Sequence, residues 1–151
     1  MNKGELAEKL FHEGYNCAQA VACAFADDCG MDEKLMFKIA SSFGGGMGRM
    51  REVCGCVSGM FVVSGILECG SSAVDKNEKD SQYARVQLLA EKFKKECGSI
   101  ICRELLALPT KTVEKPISEE RTQEYYTKRP CSQCVRIAAD ILAAHLSANA
   151  D

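Results

Sequence analysis

Apolar residues recur along this chain at the spacing of one face of an α-helix, and this pattern constrains the fold more than any other feature. Sustained alternation of apolar and polar residues, which would indicate strands, is absent. Helices are predicted over residues 3–12, 17–27 after an Asn16 N-cap, 33–43, 51–68, 81–96, 102–108 and 131–146. Short connections between these segments predict an all-α, compact multi-helix bundle that forms a single helical domain over residues 1–151.

A glycine-rich segment and an apolar stretch lie at the centre of the chain. Gly44-Gly-Gly-Met-Gly48 predicts a turn, because glycine is unfavourable inside helices and adopts left-handed conformations easily. The apolar residues 53–67 that follow are fewer than the roughly 20 that a membrane span needs. We therefore expect a buried central helix, on which Gly55 and Gly59 share one side and pack closely against a neighbour.

The charge pattern excludes several classes of partner. The formal net charge is −2, and acidic and basic residues are mixed along most of the sequence. A nucleic-acid site needs clustered Lys and Arg, so no nucleic acid is expected as a partner. A positively charged leader followed by an apolar run is absent from the N-terminal residues. We expect a cytoplasmic protein that does not enter the membrane.

The cysteine content is the feature that points to chemistry. The chain has 10 cysteines, at positions 17, 23, 29, 54, 56, 69, 97, 102, 131 and 134. In the expected reducing compartment, so many cysteines indicate metal ligation or thiol redox chemistry rather than a disulfide framework. Burial as small apolar side chains explains single cysteines well, but it does not explain all of them.

The segment from the glycines to the start of the central helix is the most informative candidate site. Glycines expose backbone N–H groups that stabilise negative charge, and on this ground Gly45, Gly46 and Gly55 are predicted to bind a cofactor. A thiolate beside a helix N-terminus, with Arg49 and Arg51 close in sequence, would have a lowered pKa. The phosphate-binding and dinucleotide-binding glycine motifs do not fit, because the first lacks Gly-Lys-Ser/Thr and the second lacks a preceding strand.

Three pairs of cysteines are close in sequence. Cys131-Ser-Gln-Cys134 lies at a predicted helix N-terminus, with both sulfurs on one face and able to pair or to bind one metal. Cys54 and Cys56 point to different sides of a helix, so one is expected to be functional and the other to lie in the core. Cys97 and Cys102 flank a predicted turn and are expected to approach each other.

The polar residues 110–130 are predicted to form a surface loop with a helical turn around 119–126.

The order of these motifs resembles the family named for its C_GCAxxG_C_C cysteine pattern. The motifs are Gly-Tyr-Asn-Cys17-Ala-Gln-Ala-Val, Cys54-Gly-Cys-Val-Ser-Gly, Cys102-Arg-Glu-Leu-Leu and Cys131 at the head of the last helix. The resemblance implies redox activity and places the family cysteines at Cys17, Cys54 or Cys56, Cys102, and Cys131 or Cys134. The middle motif departs from the family pattern, because its Gly-Cys-Ala and its final glycine do not align in one frame.

Two functions of different classes follow. In the first, Cys17, Cys54, Cys102 and Cys131 converge on one redox site, which either holds an iron–sulfur cluster for electron transfer or cycles between dithiol and disulfide. Its partner would be a redox protein, and self-association into a homodimer stays open. In the second, the chain is a zinc-binding or cysteine-rich helical interaction module without catalytic activity. The candidate metal ligands are Cys17, Cys54, Cys56, Cys102, Cys131 and Cys134; otherwise no cofactor is expected.

Overall fold

A computed structural model describes residues 1–109 and 114–150, and within these ranges the secondary structure is helical and contains no β-strand. The helices are α1 (Lys3–His12), α2 (Cys17–Ala24), α3 (Glu33–Ala40), α4 (Gly44–Met47), α5 (Gly55–Glu68), α6 (Lys76–Cys97), α7 (Cys102–Leu105), α8 (Gln123–Lys128) and α9 (Cys131–Ala148). A 3₁₀ turn, Ser41–Phe43, joins α3 to α4. The predicted all-α class is confirmed.

Capping side chains explain where several helices begin. The Asn16 side chain accepts a hydrogen bond from the backbone N–H of Gln19, whose side chain bonds back to Asn16, so α2 begins with a capping box. Asn2 and Glu5 form the same arrangement at the start of α1. Asn16 is therefore the N-cap that the sequence predicts.

Two helices begin at a residue other than the expected one, and α2, α3 and α7 end earlier than expected, at Ala24, Ala40 and Leu105. Helix α6 begins at Lys76 rather than near residue 81, because the Asp75 side chain caps it by accepting from the Glu78 N–H. Helix α5 begins at Gly55 rather than near residue 51. The preceding backbone bonds across to another segment instead, since the N–H of Cys54 donates to the Ile100 carbonyl at 2.7 Å.

Helix α5 lies at the centre of the core. It packs against α2, α6 and α9, while α1 packs against α9 and α2. Val57, Met60 and Val63 on α5 are fully buried, which confirms the predicted buried central helix. Among the residues that the structure describes, no helix has both the length and the apolar character that crossing a membrane requires.

Candidate functional site

A pocket of about 180 Å³ lies at the end of the bundle where the N-terminal ends of several helices meet. Its wall contains five cysteines, namely Cys17, Cys54, Cys102, Cys131 and Cys134. The glycine-rich turn and four arginines complete much of the lining. The structure therefore brings together thiols that are far apart in sequence, in a pocket that also contains arginine side chains.

Four of these cysteines occupy equivalent places in their helices. Cys17, Cys102 and Cys131 are the first residues of α2, α7 and α9, and Cys54 immediately precedes α5. Backbone N–H groups in the first turn of a helix have no partner within the helix and carry partial positive charge. This placement favours negative charge on the sulfurs, most strongly at the longer helices α5 and α9.

The closest thiol contacts in the pocket centre on Cys17. Its sulfur accepts hydrogen bonds from the thiols of Cys131 and Cys56, and these bonds hold the pKa of Cys17 well below its usual range. Burial opposes this shift, whereas the positive charge of Arg121 supports it. Cys17 as a whole residue is only partly buried, and it lines the pocket.

The partners of Cys17 keep their protons. Hydrogen bonding to Cys17, followed by burial, raises the pKa of Cys131, and hydrogen bonding to Cys17 and Cys54 with burial raises that of Cys56. Cys131 is partly exposed, while Cys56 is completely buried. Both cysteines of the Cys54–Cys56 pair are buried, and of the two only Cys54 lines the pocket. That one of them is functional and the other a core residue stays a prediction.

Cys102 lies on the opposite wall beside a buried arginine. The Arg51 guanidinium donates to the Cys102 sulfur at 3.5 Å, and the Arg51 side chain is only 3% exposed. Burial raises the pKa of the Cys102 thiol, and this nearby charge partly offsets the effect. Cys102 is thus a protonated thiol in a positively charged corner rather than the most acidic thiol of the pocket.

The glycine-rich turn has an unusual backbone conformation. Every residue from Gly45 to Arg49 has a positive φ, between 64° and 71°, and Arg51 follows with a φ of 58°. Met47, Arg49 and Arg51 have side chains, so this left-handed conformation is strained at those positions. A hydrogen bond of 2.9 Å from the Gly48 N–H to the Gly44 carbonyl closes the turn.

The glycines allow the backbone to approach the cysteines closely. A Cβ on Gly46 would lie 2.6 Å from the Cβ of Cys102, and a Cβ on Gly55 would lie 3.1 Å from that of Cys17. Gly45, Gly46 and Gly55 all line the pocket. Their predicted contact with a cofactor stays a prediction, whereas the structure gives Gly46 and Gly55 a packing role beside the thiols.

Two arginines of the turn share one carboxylate. Arg49 donates to Glu114 at 2.7 Å, and Arg51 binds both oxygens of the same carboxylate. These contacts hold the pKa of Glu114 below its usual range, with the hydrogen bond from Arg51 as the main cause. The ion pairs hold the turn against Glu114, whose single negative charge balances one of the two guanidinium charges.

Arg121 and Arg129 form the other positively charged wall. Their guanidinium groups both lie 4.8 Å from the ring centre of Tyr125, and Arg121 also lies 4.6 Å from that of Phe11. Arg129 pairs with Glu119. Among the described residues Arg121 has no carboxylate partner and donates instead to backbone carbonyls, so its charge remains available to Cys17.

The sequence missed this wall. The polar segment 110–130 was expected to form a surface loop, but Arg121, Tyr125 and Arg129 line the pocket. The helical turn α8 lies slightly later than expected, at Gln123–Lys128, and residues 110–113 lie outside the described residues. The only sequence feature that could have indicated this role is the mixture of aromatic and basic residues in Arg121-Thr-Gln-Glu-Tyr-Tyr-Thr-Lys-Arg129. By itself this pattern does not show which surface the segment packs against.

Cys97, the last residue of α6, interacts with a thiol of α9. Hydrogen bonding with the thiol of Cys134 lowers the pKa of Cys97 and, together with burial, raises that of Cys134. Helix α6 packs on α9, which brings these residues to the same part of the bundle. The predicted approach of Cys97 to Cys102 stays a prediction.

The remaining cysteines do not line the pocket. Cys23 is buried and bonds to the Glu33 carbonyl, and burial raises its pKa to about 12. Cys69 is exposed, and Cys29 is half-buried near Asp28. Of the predicted metal ligands, all except Cys56 line the pocket. Within residues 1–109 and 114–150, however, no group of three or more His, Cys, Asp or Glu side chains is arranged so that it could hold a metal ion.

Comparison with known proteins connects the pocket to a family. A family model described as "Putative redox-active protein (C_GCAxxG_C_C)" matches residues 15–145, which is most of the chain. No curated protein and no solved structure matches the chain. The matched range contains every cysteine of the pocket as well as Arg121 and Arg129.

Proposed function

The chain belongs to the family of redox-active proteins described by the C_GCAxxG_C_C cysteine pattern, and from that premise we propose that it performs thiol–disulfide exchange at this pocket. Cys17 is the attacking thiolate and Cys131 is the resolving thiol. The observation that carries the proposal is that Cys17 and Cys131, the first residues of α2 and α9 and both partly exposed, line the same arginine-containing pocket. The influence of Cys131 on the pKa of Cys17 supports it. Cys131 occupies the place next to Cys17 that a resolving cysteine needs.

The exchange would proceed in two substitution steps. The Cys17 thiolate attacks one sulfur of a substrate disulfide, so that a Cys17–substrate disulfide forms and the other substrate sulfur leaves as a thiolate. Cys131 then loses its proton to that thiolate and attacks the Cys17 sulfur, which releases the second substrate thiolate. The substrate disulfide gains two electrons, and the protein loses two as it forms the Cys17–Cys131 disulfide.

The surroundings of Cys17 support its role as the attacking thiol. The first-turn N–H groups of α2 and α9 and the charge of Arg121 all favour the thiolate over the thiol. After exchange, the same charges would stabilise the thiolate that leaves in the reverse reaction. The proposed partner is therefore a disulfide or dithiol of a redox protein in a reducing compartment, which we infer to be the cytoplasm.

A second candidate function is supported by the number of cysteines at the pocket. Cys17, Cys54, Cys102 and Cys131 come from separate helix ends, and a dithiol uses only two of them. Four thiolates are the usual ligands of an iron–sulfur cluster. Because the described residues contain no group of three or more ligands arranged to hold a metal ion, these four sulfurs would have to move together to bind one. A bound cluster would supply one-electron transfer. The same four thiols also match the ligand type of structural zinc, which is the non-catalytic alternative.

The test begins with protein purified without oxygen and analysed for iron, sulfide and zinc. Reduced protein is then equilibrated in dithiothreitol buffers of defined potential, quenched with acid, alkylated and mapped by mass spectrometry. We expect metal-free protein in which Cys17 and Cys131 become linked, with exchange lost in Cys17→Ser. Cys131→Ser should instead accumulate a mixed disulfide between Cys17 and an aryl disulfide probe. Cys69→Ser, which removes an exposed thiol outside the pocket, is the matched control.

Other outcomes separate the alternatives. Stoichiometric iron and sulfide with visible absorbance would replace the exchange reaction by cluster-based electron transfer. Stoichiometric zinc with thiols that stay reduced at every potential would support the interaction module. Metal-free protein without a Cys17–Cys131 link would contradict all three assignments and leave the cysteines as packing residues.

A further inference from the structure

Positive side chains outnumber negative ones at the cysteine pocket. Among the described residues of the lining, four carry a positive charge, namely Arg49, Arg51, Arg121 and Arg129. Glu119 is the acidic residue of the same lining, and Glu114 pairs with Arg49 and Arg51 without lining the pocket. Two carboxylates thus oppose four guanidinium groups, which leaves two positive charges unbalanced beside the thiols.

Arg121 supplies one of the unbalanced charges in a fixed position. Its guanidinium donates to the backbone carbonyls of Phe11 at 3.2 Å and Tyr15 at 3.1 Å, and it has no carboxylate partner among the described residues. Tyr15 is two residues before Cys17. The charge of Arg121 is therefore held close to the first turn of α2.

Arg129 contacts a carboxylate that another anion can replace. The side chain of Arg129 is 19% exposed, and its partner Glu119 is 43% exposed. Glu119 also lies 4.0 Å from Arg49, so one exposed carboxylate joins two arginines of the pocket. Ion pairs with an exposed member contribute little to stability, so the cost of displacing Glu119 is small. Arg129 itself is two residues before Cys131.

Arg49 has hydrogen-bonding capacity beyond its contact with Glu114. Its Nε atom is buried and forms no hydrogen bond among the described residues. Buried donors in proteins are almost always paired with an acceptor. An anionic group that binds between Arg49 and Arg129 would supply one.

Apolar side chains form another part of the pocket. Leu105 and Leu106 lie at the end of α7, and Tyr125 lies under the guanidinium groups of Arg121 and Arg129. The volume of about 180 Å³ is close to that of a cavity of roughly 150 Å³ that holds one benzene molecule. The pocket therefore admits only the reacting end of a substrate, and its apolar walls strengthen an ion pair formed inside it.

We propose that the pocket selects disulfides with a carboxylate close to the sulfur, and that Arg129 and Arg49 bind this carboxylate in the place that Glu119 takes in the free protein. The selection rests on the proposed function of Cys17 and names its substrate class. The carboxylate forms ion pairs only, so the sulfur–sulfur bonds form and break as in the exchange reaction above. Two sources provide such a group: the disulfide of a small thiol acid, and a cystine flanked by Asp or Glu in a redox partner.

A series of small disulfides that differ in charge tests the selection in wild-type protein. The reagents are dithiodipropionate, bis(hydroxyethyl) disulfide and cystamine, which are anionic, neutral and cationic. Each rate of reaction at Cys17 is divided by the rate of the same disulfide with mercaptoethanol. We expect the corrected rate to be about tenfold or more higher for the anionic reagent than for the neutral one at low salt, and the difference to shrink at high salt. Equal corrected rates would overturn the proposal.

Variants test the residues that bind the carboxylate. Arg129→Gln should slow the anionic disulfide about tenfold or more and leave the neutral one unchanged, and Arg129→Lys should recover part of the rate. Glu119→Gln removes the competing carboxylate and should accelerate the anionic disulfide about twofold to fivefold. Arg136→Gln, which removes a cation paired with Glu8 outside the pocket, is the matched control. A slower reaction in Glu119→Gln would contradict the role of Glu119 as a replaceable group.

Peptide disulfides distinguish the two sources. A short peptide with Asp on both sides of its cysteine is compared with the same peptide carrying Asn. A corrected rate for the Asp peptide above that of dithiodipropionate supports an acidic partner protein, and a lower one supports a small thiol acid.

Alkylation separates the failure of this selection from the failure of the exchange reaction. The ratio of iodoacetate to iodoacetamide rates at the pocket cysteines, divided by the same ratio at the exposed Cys69, measures the preference for an anion without any exchange. A value well above one without a Cys17–Cys131 link would keep the anion site and remove the proposed function. A Cys17–Cys131 link with a value of one would keep the function and remove the anion site.

Discussion

At the scale of single residues, the chemistry rests on an asymmetric contact between Cys17 and its neighbours. Cys17 accepts hydrogen bonds from Cys131 and Cys56, so one thiol is stabilised as an anion while the other two keep their protons. A symmetric pair would not distinguish an attacking thiol from a resolving one. Hydrogen bonding is the largest cause on each side: it lowers the pKa of Cys17 and raises that of Cys56. Burial raises the pKa of both thiols, and the charge of Arg121 lowers that of Cys17.

This asymmetry predicts the pH dependence of alkylation at each cysteine. The lowered pKa of Cys17 means that its thiolate persists at pH values where an ordinary thiol is protonated, so iodoacetamide should modify Cys17 first at neutral pH. Cys131→Ala removes the main hydrogen bond to Cys17. We therefore expect the pH at which Cys17 is alkylated at half its maximal rate to increase. Peptide mass spectrometry of timed alkylation reactions measures both midpoints.

The contribution of Arg121 is separable in the same assay. Arg121→Gln should also move the Cys17 midpoint upwards, by less than Cys131→Ala, because the charge is a smaller cause of the shift than the hydrogen bonds. Arg121→Lys keeps the charge and should move it least. Arg136→Gln, which removes a cation paired with Glu8 on the α1 side, should leave the profile unchanged. Equal profiles for wild type and Arg121→Gln would refute the electrostatic role.

At the scale of secondary structure, glycines determine how closely the helices that carry the cysteines approach each other. Gly59 on α5 faces α2, where a Cβ would lie 2.9 Å from the Ala18 carbonyl and 3.0 Å from the Cβ of Val21. Gly65 on the same helix has no atom within 4 Å of such a Cβ. The predicted close packing at Gly55 and Gly59 is thus found in the structure, where both glycines face α2.

Alanine substitutions at these two glycines should therefore have opposite effects. Gly59→Ala forces α5 away from the backbone of α2 and should lower the free energy of unfolding by about 1–3 kcal/mol. Gly65→Ala only improves helix propensity and should raise it by about 0.5–1 kcal/mol. Urea denaturation followed by circular dichroism measures both. A destabilisation of the same size in the two variants would show that glycine itself, rather than the α2 contact, is required.

A similar prediction concerns the glycine-rich turn where it packs against Cys102. Gly46 and Gly30 both have left-handed backbones, with φ of 70° and 60°, but only Gly46 has a neighbour in the way of a Cβ, the side chain of Cys102. Both alanine variants should lose about 1–2 kcal/mol from the backbone conformation. Gly46→Ala should lose a further 1–3 kcal/mol, roughly, from overpacking, and its Cys102 should be alkylated faster than in wild type. Equal stabilities of the two variants in urea would contradict the close approach.

At the scale of the whole molecule, the pocket joins the first helical segments to the last one. Helix α1 packs on α9, and Cys17 near the start of the chain contacts Cys131 near its end. A disulfide between them would close most of the chain into one loop. In the chain-entropy description, such a crosslink stabilises the protein by restricting the unfolded state.

Oxidation should therefore raise the global stability if the proposed disulfide forms. We expect the oxidised protein to unfold with a free energy about 2–4 kcal/mol larger than the reduced protein. Chemical denaturation of both forms measures this difference. Cys131→Ser should show no gain from the Cys17–Cys131 link, while Cys69→Ser should behave as wild type. An oxidised form with unchanged or lower stability would argue against an unstrained link at this position.

The sequence by itself determined the helical class, the buried central helix and most helix starts. These depend on local spacing and on capping side chains such as Asn16 and Asn2, whose effects reach only a few residues along the chain. Its predicted helix boundaries also put Cys17, Cys102 and Cys131 at helix starts, where the structure has them. Capping was misjudged at Asp75, where a run of charges concealed the beginning of a helix.

Only the tertiary structure decided which thiols are neighbours. Cys17 and Cys131 line the same pocket, and Cys97 interacts with Cys134, because α1, α2 and α6 pack on α9. It also brought Arg121 to Cys17 from a segment whose sequence resembles a surface loop. Contacts between distant positions depend on how whole helices pack, and local sequence patterns contain no information about that geometry.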